Sequence, residues 1–90
     1  LLDDVYTERL LEKIYNLATH KKEKIDLNQI KKAIYYAKEY HGNQKRLSGE
    51  PFYSHPLEVA YMVIDYYYNT NTIITAILHD IIEDTECTVE

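Results

Sequence analysis

The fold depends on one stretch of the chain, Ala76-Ile77-Leu78-His79-Asp80-Ile81-Ile82-Glu83-Asp84-Thr85. The stretch sets a histidine and three carboxylates within an apolar run. Aliphatic residues recur here at spacings of three and four, which predicts a helix over residues 72–84 with Asn71 as its N-cap. The aliphatic side of this helix consists of Ile73, Ile74, Ile77, Leu78, Ile81 and Ile82.

The opposite side of the same helix carries His79, Asp80, Glu83 and Asp84. One interpretation is a solvated polar face. However, no Lys or Arg lies within four residues of these acids, and Asp80 and Asp84 form a like-charge i,i+4 pair. The acids also crowd the end of the helix where the dipole disfavours them. The second interpretation is therefore a divalent cation site, and mixed His and carboxylate ligands suit Mn²⁺, Fe²⁺ or Zn²⁺.

Three further helices are predicted upstream, and β signals are weak, so the predicted class is an all-α bundle of about four main helices. The first helix spans residues 3–19. The second starts at the N-cap Asp26 and stops at Gly42, a typical C′ residue. The third begins around Pro56, and its apolar side reaches residues 67–68. The predicted buried side of the first helix consists of Val5, Leu10, Leu11, Ile14, Tyr15 and Ala18.

A loop over residues 42–54 joins the second and third helices, with a turn over residues 49–51. It contains Lys45, Arg46 and Ser48 beside the two glycines of the chain. Such a loop can hold a phosphate or stack a guanidinium on a base. A solvated charged loop fits the same residues, so both interpretations stay open.

The histidines outside the fourth helix differ in their expected roles. His55 precedes Pro56 at the start of a helix, where it is either bonded to the backbone or a metal ligand. His41 continues the apolar side of the second helix, which favours a core histidine that supports the loop. His20 is expected at the surface, and Cys87 is assigned no role.

Composition limits the class of protein. Ninety residues with 46% apolar side chains indicate one small globular domain. A single Cys fits a reducing cytosol, and no apolar run reaches the roughly 18 residues of a membrane span. All ten Lys and Arg lie between Arg9 and Arg46, whereas residues 47–90 hold eight acids and no base. This acidic half argues against a nucleic-acid partner.

Two segments resemble the signatures of a known family. Residues 37–60, AKEYHGNQKRLSGEPFYSHPLEVA, and residues 76–85, AILHDIIEDT, look like the first and second signatures of the hydrolase domain of RelA/SpoT homologues. The resemblance covers roughly residues 27–90. It implies an HD-type helical fold and a cytoplasmic, metal-dependent enzyme that removes the 3′-pyrophosphate of guanosine tetra- and pentaphosphate, (p)ppGpp, in the stringent response.

The resemblance also implies a metal centre. His55, His79 and Asp80 match three of the four ligands of the family's Mn²⁺. Glu83 and Asp84 match the acidic, catalytic pair that lies beside the attacking water and the scissile phosphate.

For the substrate, the resemblance implies that Arg46 packs on the guanine, with Lys45 and Ser48 alongside. Leu47 departs from the family pattern because a basic residue is common at its position. Lys45 is expected to compensate for that lost charge.

The family's fourth metal ligand is an Asp in a segment resembling Ala-Asp-Arg-Leu-His-Asn, which nothing in residues 1–90 matches. We therefore expect a partial HD domain, with an N-terminal helix and linker over residues 1–25 and a motif-bearing part over residues 26–90. The alternative is a non-catalytic remnant, or a nucleotide- or partner-binding module of a split RelA/SpoT-type protein. We further expect exposed aliphatic surface, and hence self-association or docking with separately encoded family domains, without membrane contact.

Overall fold

The computed structural model describes residues 4–22 and 24–85, and of residues 80 and 82–85 only the backbone. Within these ranges the chain forms four α-helices: α1 Val5–Ala18, α2 Leu27–His41, α3 Ser54–Val63 and α4 Thr70–Thr85. The described backbone contains no strand, only an isolated bridge between Lys45 and Pro51. The predicted all-α class is confirmed. None of the described helices is long and apolar enough to cross a membrane.

Local sequence rules set the ends of the first two helices. Asp4 caps α1, since its Oδ1 accepts a hydrogen bond from the Thr7 N–H at 3.0 Å. Asp26 caps α2 in the same way, accepting from the Gln29 N–H at 3.3 Å. Gly42 ends α2 with a φ of 55°, a conformation in which a residue with a Cβ is strained. The predicted caps of α2 are confirmed.

The start of α4 differs from the prediction. Asn69, not Asn71, caps the helix, because its Oδ1 accepts from the Thr72 N–H at 3.0 Å and from Thr72 Oγ1 at 3.3 Å. Asn71 already lies inside the first turn, where its carbonyl accepts from Thr75 Oγ1 at 2.8 Å. The predicted cap was wrong because two adjacent segments, Asn69-Thr70 and Asn71-Thr72, carry the same capping signal.

The end of α3 also differs, because the helix stops at Val63 and does not reach residues 67–68. The next backbone bonds include two i to i+3 contacts, from Asp65 N to Met62 O at 3.2 Å and from Tyr66 N to Val63 O at 2.9 Å. Such bonds tighten and end a helix. Tyr68 contributes to the core outside the helix, where its O–H donates to Ile14 O on α1 at 3.1 Å.

The core fills the space between α4 and its two neighbours. α4 packs against both α2 and α3, and α1 packs against α3. The buried apolar side chains are Leu10, Ile14, Ile30, Ala33, Ile34, Ala37, Leu57, Ala60, Ile64, Ile73, Ile77 and Ile81. The predicted apolar sides of α2, α3 and α4 are confirmed at these positions.

The predicted buried side of α1 includes residues that are exposed in the structure. Leu10 and Ile14 are buried, but Val5 is 59% exposed and Tyr15 is 62% exposed. The third buried residue of α1 is Thr7, whose hydroxyl donates to the Asp4 carboxylate. α1 lies at the edge of the bundle against α3, so a narrower side suffices to cover the core.

The helix starts and the packing indicate how the segments are arranged. The Asp26 N–H donates to Thr70 Oγ1 at 3.0 Å, so α2 and α4 start together. These helices have 15 and 16 residues and pack against each other, so we infer that they run side by side in the same direction. The loop after α2 leads directly into α3. By this inference the end of α2, the start of α3 and the last turns of α4 lie near one end of the bundle, which we call the site end.

The capping assignment predicts different costs at the two asparagines. Asn69→Ala should lower the free energy of unfolding by about 1 kcal/mol, because it leaves the Thr72 N–H without its acceptor. Asn71→Ala is the matched control and should change stability by less than about 0.5 kcal/mol, because only the Asn71 carbonyl is bonded. Urea unfolding of both variants measures this, and a larger loss for Asn71→Ala would contradict the assignment.

Candidate functional site

His55 lies at the site end as the second residue of α3. Backbone bonds from Ser54 N to Pro51 O at 3.0 Å and from His55 N to Phe52 O at 3.2 Å form the turn that starts the helix. Pro56 follows as the third helical residue and is buried. The imidazole of His55 is half-buried. Its backbone is fixed by the helix, so the ring projects from a defined position rather than from a mobile loop.

His79 lies on α4 at the same end, and a hydrogen bond sets its tautomer. Its Nδ1 is 2.9 Å from the backbone oxygen of Ala76. A carbonyl oxygen only accepts, so Nδ1 donates in this bond and Nε2 is the ring nitrogen that faces away from it. This is the arrangement that orients a metal-ligating histidine. The donor set therefore fits a cation bound through Nε2.

The side chains of the carboxylates expected beside His79 are not among those that the structure describes. The backbones of Asp80, Glu83 and Asp84 belong to α4, one to five residues after His79. Their proposed roles stay predictions. Among the side chains that the structure does describe, no three His, Cys, Asp or Glu residues converge as a metal group.

The loop that carries Arg46 folds as a short hairpin. Gly49 N–H donates to Arg46 O at 2.8 Å, and Arg46 N–H donates to Glu50 O at 2.8 Å. Gly49 has a φ of 95°, so a left-handed glycine follows the turn. Farther from the tip of the hairpin, Phe52 N–H donates to Gln44 O at 2.9 Å. The turn lies at residues 46–49, earlier than the predicted 49–51, because Pro51 pairs with Lys45 in an isolated bridge. The hairpin holds Arg46 near α3.

Two carboxylates contact the guanidinium of Arg46. Glu50 Oε1 lies 3.3 Å from Arg46 Nη1, and Glu58 Oε1 on α3 lies 3.7 Å away. The Arg46 side chain is 35% exposed, so it remains open to solvent on part of its surface. The role of Glu58 was not predicted from the sequence. A periodic pattern gives no signal for this contact, because the two residues lie on different elements.

The other loop residues of the predicted substrate set are solvent-exposed. Ser48 Oγ donates to Glu50 Oε1 at 3.4 Å, a long bond at the surface. Lys45 is exposed, and Leu47 at the tip is fully exposed. The structure thus brings Lys45 and Ser48 into the same hairpin as Arg46. Leu47 contributes nothing to the core.

His41 packs against residues of this loop, as predicted. It is buried, with Nδ1 3.1 Å from Gln44 Oε1 and its ring 4.8 Å from that of Phe52. Its Nε2 and the hydroxyl of Ser54 are buried atoms that find no hydrogen-bond partner among the described residues. A core histidine therefore connects the end of α2 to both sides of the hairpin.

A comparison with family models gives the class of protein. A model of the HD domain family matches residues 33–90, which is more than half of the chain. The chain belongs to the HD domain family. Membership implies a divalent metal at the site.

Similar proteins narrow the family further. A protein of Mycoplasma pneumoniae named probable guanosine-3′,5′-bis(diphosphate) 3′-pyrophosphohydrolase is 52% identical over 59 residues, which cover 66% of this chain and 8% of that protein. A protein of Aquifex aeolicus named guanosine-3′,5′-bis(diphosphate) 3′-pyrophosphohydrolase is 48% identical over 62 residues, which cover 69% of this chain and 9% of that protein. A GTP pyrophosphokinase rsh of Brucella ovis is 51% identical over 67 residues, which cover 72% of this chain and 9% of that protein.

These relatives are much longer than the present chain, which spans less than a tenth of their length. No solved structure matches the chain. The expected similarity to RelA/SpoT homologues is confirmed for the region that the relatives share with this chain.

The hydrogen bond to Ala76 predicts one tautomer for His79. In long-range ¹H–¹⁵N NMR spectra of the neutral ring, the proton of His79 should lie on Nδ1. His20, exposed at the end of α1, is the control and should show the Nε2–H form that free imidazole side chains prefer. An Nε2–H tautomer at His79 would contradict the proposed ligand atom.

Proposed function

We propose that this chain contains the metal- and nucleotide-binding part of a manganese-dependent (p)ppGpp 3′-pyrophosphohydrolase. One arrangement supports the proposal. His55 lies in the first turn of α3, which packs against the helix that carries His79, and the Arg46 hairpin contacts α3 through Glu58. The names of the similar proteins support the same activity, although the chain spans less than a tenth of them.

In this proposal the cation is held by His55, His79 and Asp80. Nitrogen and carboxylate ligands together suit Mn²⁺ better than Mg²⁺ or Ca²⁺. When bound, a divalent cation neutralises phosphate charge and makes water more acidic. The Nδ1–H bond from His79 to Ala76 O keeps Nε2 aimed away from its own helix backbone, so the ring needs little rearrangement on binding.

In this proposal a carboxylate of the chain acts as the general base. Glu83 or Asp84 takes a proton from the water that attacks the 3′-diphosphate. The bond between the 3′-oxygen and phosphorus breaks, the 3′-oxygen leaves with a proton, and the products are GDP and pyrophosphate. Both residues follow His79 within two turns of α4, so one helix supplies both acid–base groups and a metal ligand.

The hairpin binds the guanine. Arg46 stacks its guanidinium on the base, and Glu50 and Glu58 keep that guanidinium from rotating. Lys45 and Ser48 lie in the same hairpin and contribute charge and a hydroxyl near the phosphates. The alternative function is a module that binds the nucleotide without hydrolysing it, which a binding measurement separates from catalysis.

The direct test is turnover of ppGpp by the 90-residue chain with Mn²⁺. We expect GDP and pyrophosphate to appear, and His79→Ala to reduce their formation at least about 100-fold because a metal ligand is lost. His20→Ala, at an exposed position two residues after α1, is the matched control and should keep full activity.

Two results would contradict the hydrolase proposal: a folded chain that shows no turnover, or a His79→Ala variant as active as the parent. Calorimetry with ppGpp in the absence of metal then distinguishes the alternative. Binding without turnover would support the nucleotide-binding module, and no binding would overturn both functions.

The stacking role of Arg46 gives a separate prediction. Arg46→Ala should raise the KM for ppGpp about tenfold, because a cation–π contact with the base contributes up to about 2 kcal/mol when desolvated. Its kcat should change much less, since the guanine lies away from the reacting phosphate. Lys22→Ala in the exposed linker is the control for charge. A loss of kcat at unchanged KM would contradict base stacking.

A further inference from the structure

The outer face of α2 carries exposed tyrosines. Tyr35 is 50% exposed, Tyr36 is 51% exposed and Tyr40 is 42% exposed. At about 100° per residue, these positions lie opposite the side of α2 that is buried in the core. Lys32 and Glu39 are exposed on the same face, three residues before Tyr35 and three residues after Tyr36. Lys32, Tyr35, Tyr36 and Glu39 are called the tyrosine stripe below.

An open groove lies along this face of α2. It has a volume of about 430 Å³ and a mostly apolar lining, formed by Lys31, Lys32, Tyr35, Tyr36 and Glu39. Within the part of the chain that the structure describes, the side chains of the stripe have no hydrogen bond, ion pair or ring contact. The other side of α2 packs against α4. The stripe is therefore an aromatic surface that the described fold leaves uncovered.

The positions of the charges in the stripe are self-complementary. Lys32 and Glu39 are seven residues apart, which places them within about 20° of each other around the helix. They lie at equal distances from the midpoint between Tyr35 and Tyr36, and the two tyrosines flank the line that joins them. A two-fold axis through this midpoint therefore sets Lys32 of one copy opposite Glu39 of another.

Charge also selects the direction in which two such helices pair. In an antiparallel pair, Lys32 meets Glu39 of the second copy at both ends of the contact. In a parallel pair, Lys32 would face Lys32 and Glu39 would face Glu39, and such like-charge contacts are destabilising. The antiparallel pair also brings the tyrosines of both copies to the centre of the contact. Tyrosines contribute most to binding at that position, because surrounding residues exclude water from them.

We propose that the tyrosine stripe docks on the same stripe of a second copy of this chain, in an antiparallel two-fold dimer. The contact uses the same surface of both copies, so it closes at two copies and does not extend into a filament. It follows a single helix of 15 residues, which offers less area than the roughly 800 Å² per partner of a standard interface. We therefore expect a weak dimer that forms at high protein concentration.

The proposed dimer leaves the candidate functional site of each copy open. α2 ends at His41 and leads into the Arg46 hairpin. Antiparallel pairing directs these ends away from each other, roughly 16 Å apart along the helix direction at 1.5 Å per residue. The dimer does not depend on the proposed function, and the measurements that test it require neither metal nor nucleotide.

The test exchanges charges across the two-fold axis. Lys32→Glu sets two carboxylates opposite each other at both ends of the contact, and Glu39→Lys sets two ammonium groups there. In sedimentation equilibrium over about 10 μM to about 1 mM protein, each variant alone should dimerise about tenfold more weakly than the parent. An equimolar mixture of the two variants restores both opposite-charge pairs, and it should dimerise within about threefold of the parent.

Charge-matched controls lie outside the stripe. Lys22→Glu in the linker and Glu8→Lys on α1 change the net charge by the same amounts, at exposed positions. Neither should weaken the dimer more than about twofold, since exposed charges far from the contact are screened by salt. All four charge substitutions replace exposed side chains, so the helical circular dichroism of the parent should be retained.

A second set of variants tests the aromatic part of the contact. The double variant Tyr35→Gln with Tyr36→Gln removes the rings but keeps good helix formers, and it should weaken the dimer at least about tenfold. Tyr15→Gln is the control, at a 62% exposed position on α1. In a dilution series of ¹H–¹⁵N spectra of the parent, the amide signals of residues 31–40 should shift with concentration, while those of α1 should not.

Several results would overturn the proposed dimer. A parent that stays monomeric at about 1 mM leaves the stripe to a partner other than a second copy. Single charge variants that dimerise as well as the parent would show that Lys32 and Glu39 do not meet across the axis. A mixture no stronger than either variant alone would contradict the antiparallel arrangement, and concentration-dependent shifts confined to other helices would place the contact elsewhere.

Discussion

The structure depends on burial of one side of α4 between α2 and α3. Ile73, Ile77 and Ile81 are all at most 2% exposed. Truncating such a residue typically costs about 2–5 kcal/mol, against a total stability of about 5–15 kcal/mol for a domain. This burial fixes the rotation of α4 about its own axis. His79 lies two residues from both Ile77 and Ile81, so its half-buried position and its bond to Ala76 follow from the same constraint.

Much of the fold could be predicted because it follows local rules. Asp26 and Gly42 delimit α2 correctly, since capping depends on residues within one turn. The cap of α4 was predicted wrongly because two nearby residues can each cap the helix. Asn69 and Asn71 carry the same signal, and the hydroxyl and amide of Thr72 decide between them. The exposed side of α1 was misjudged because apolar spacing does not show that a helix lies at the edge of the bundle.

The candidate site was less predictable from the sequence than the helices were. The sequence motifs identified His55, His79 and the Arg46 turn, because these residues are close to one another in the chain or match a family pattern. The contact of Arg46 with Glu58 and the ion pair of Lys38 with Asp4 join separate elements, and Asp4 and Lys38 lie 34 residues apart. Such contacts depend on how helices pack, which periodicity alone does not specify.

The central claim is that the start of α3 and the end of α4 form one cation site. Paramagnetic line broadening on titration with Mn²⁺ tests it most directly, because broadening falls steeply with distance from the ion. The account predicts that the ring signals of His55 and His79 broaden first and together, while the ring of His20 stays sharp. Broadening that reaches only one of the two rings, or that begins elsewhere on the acidic half, would contradict it.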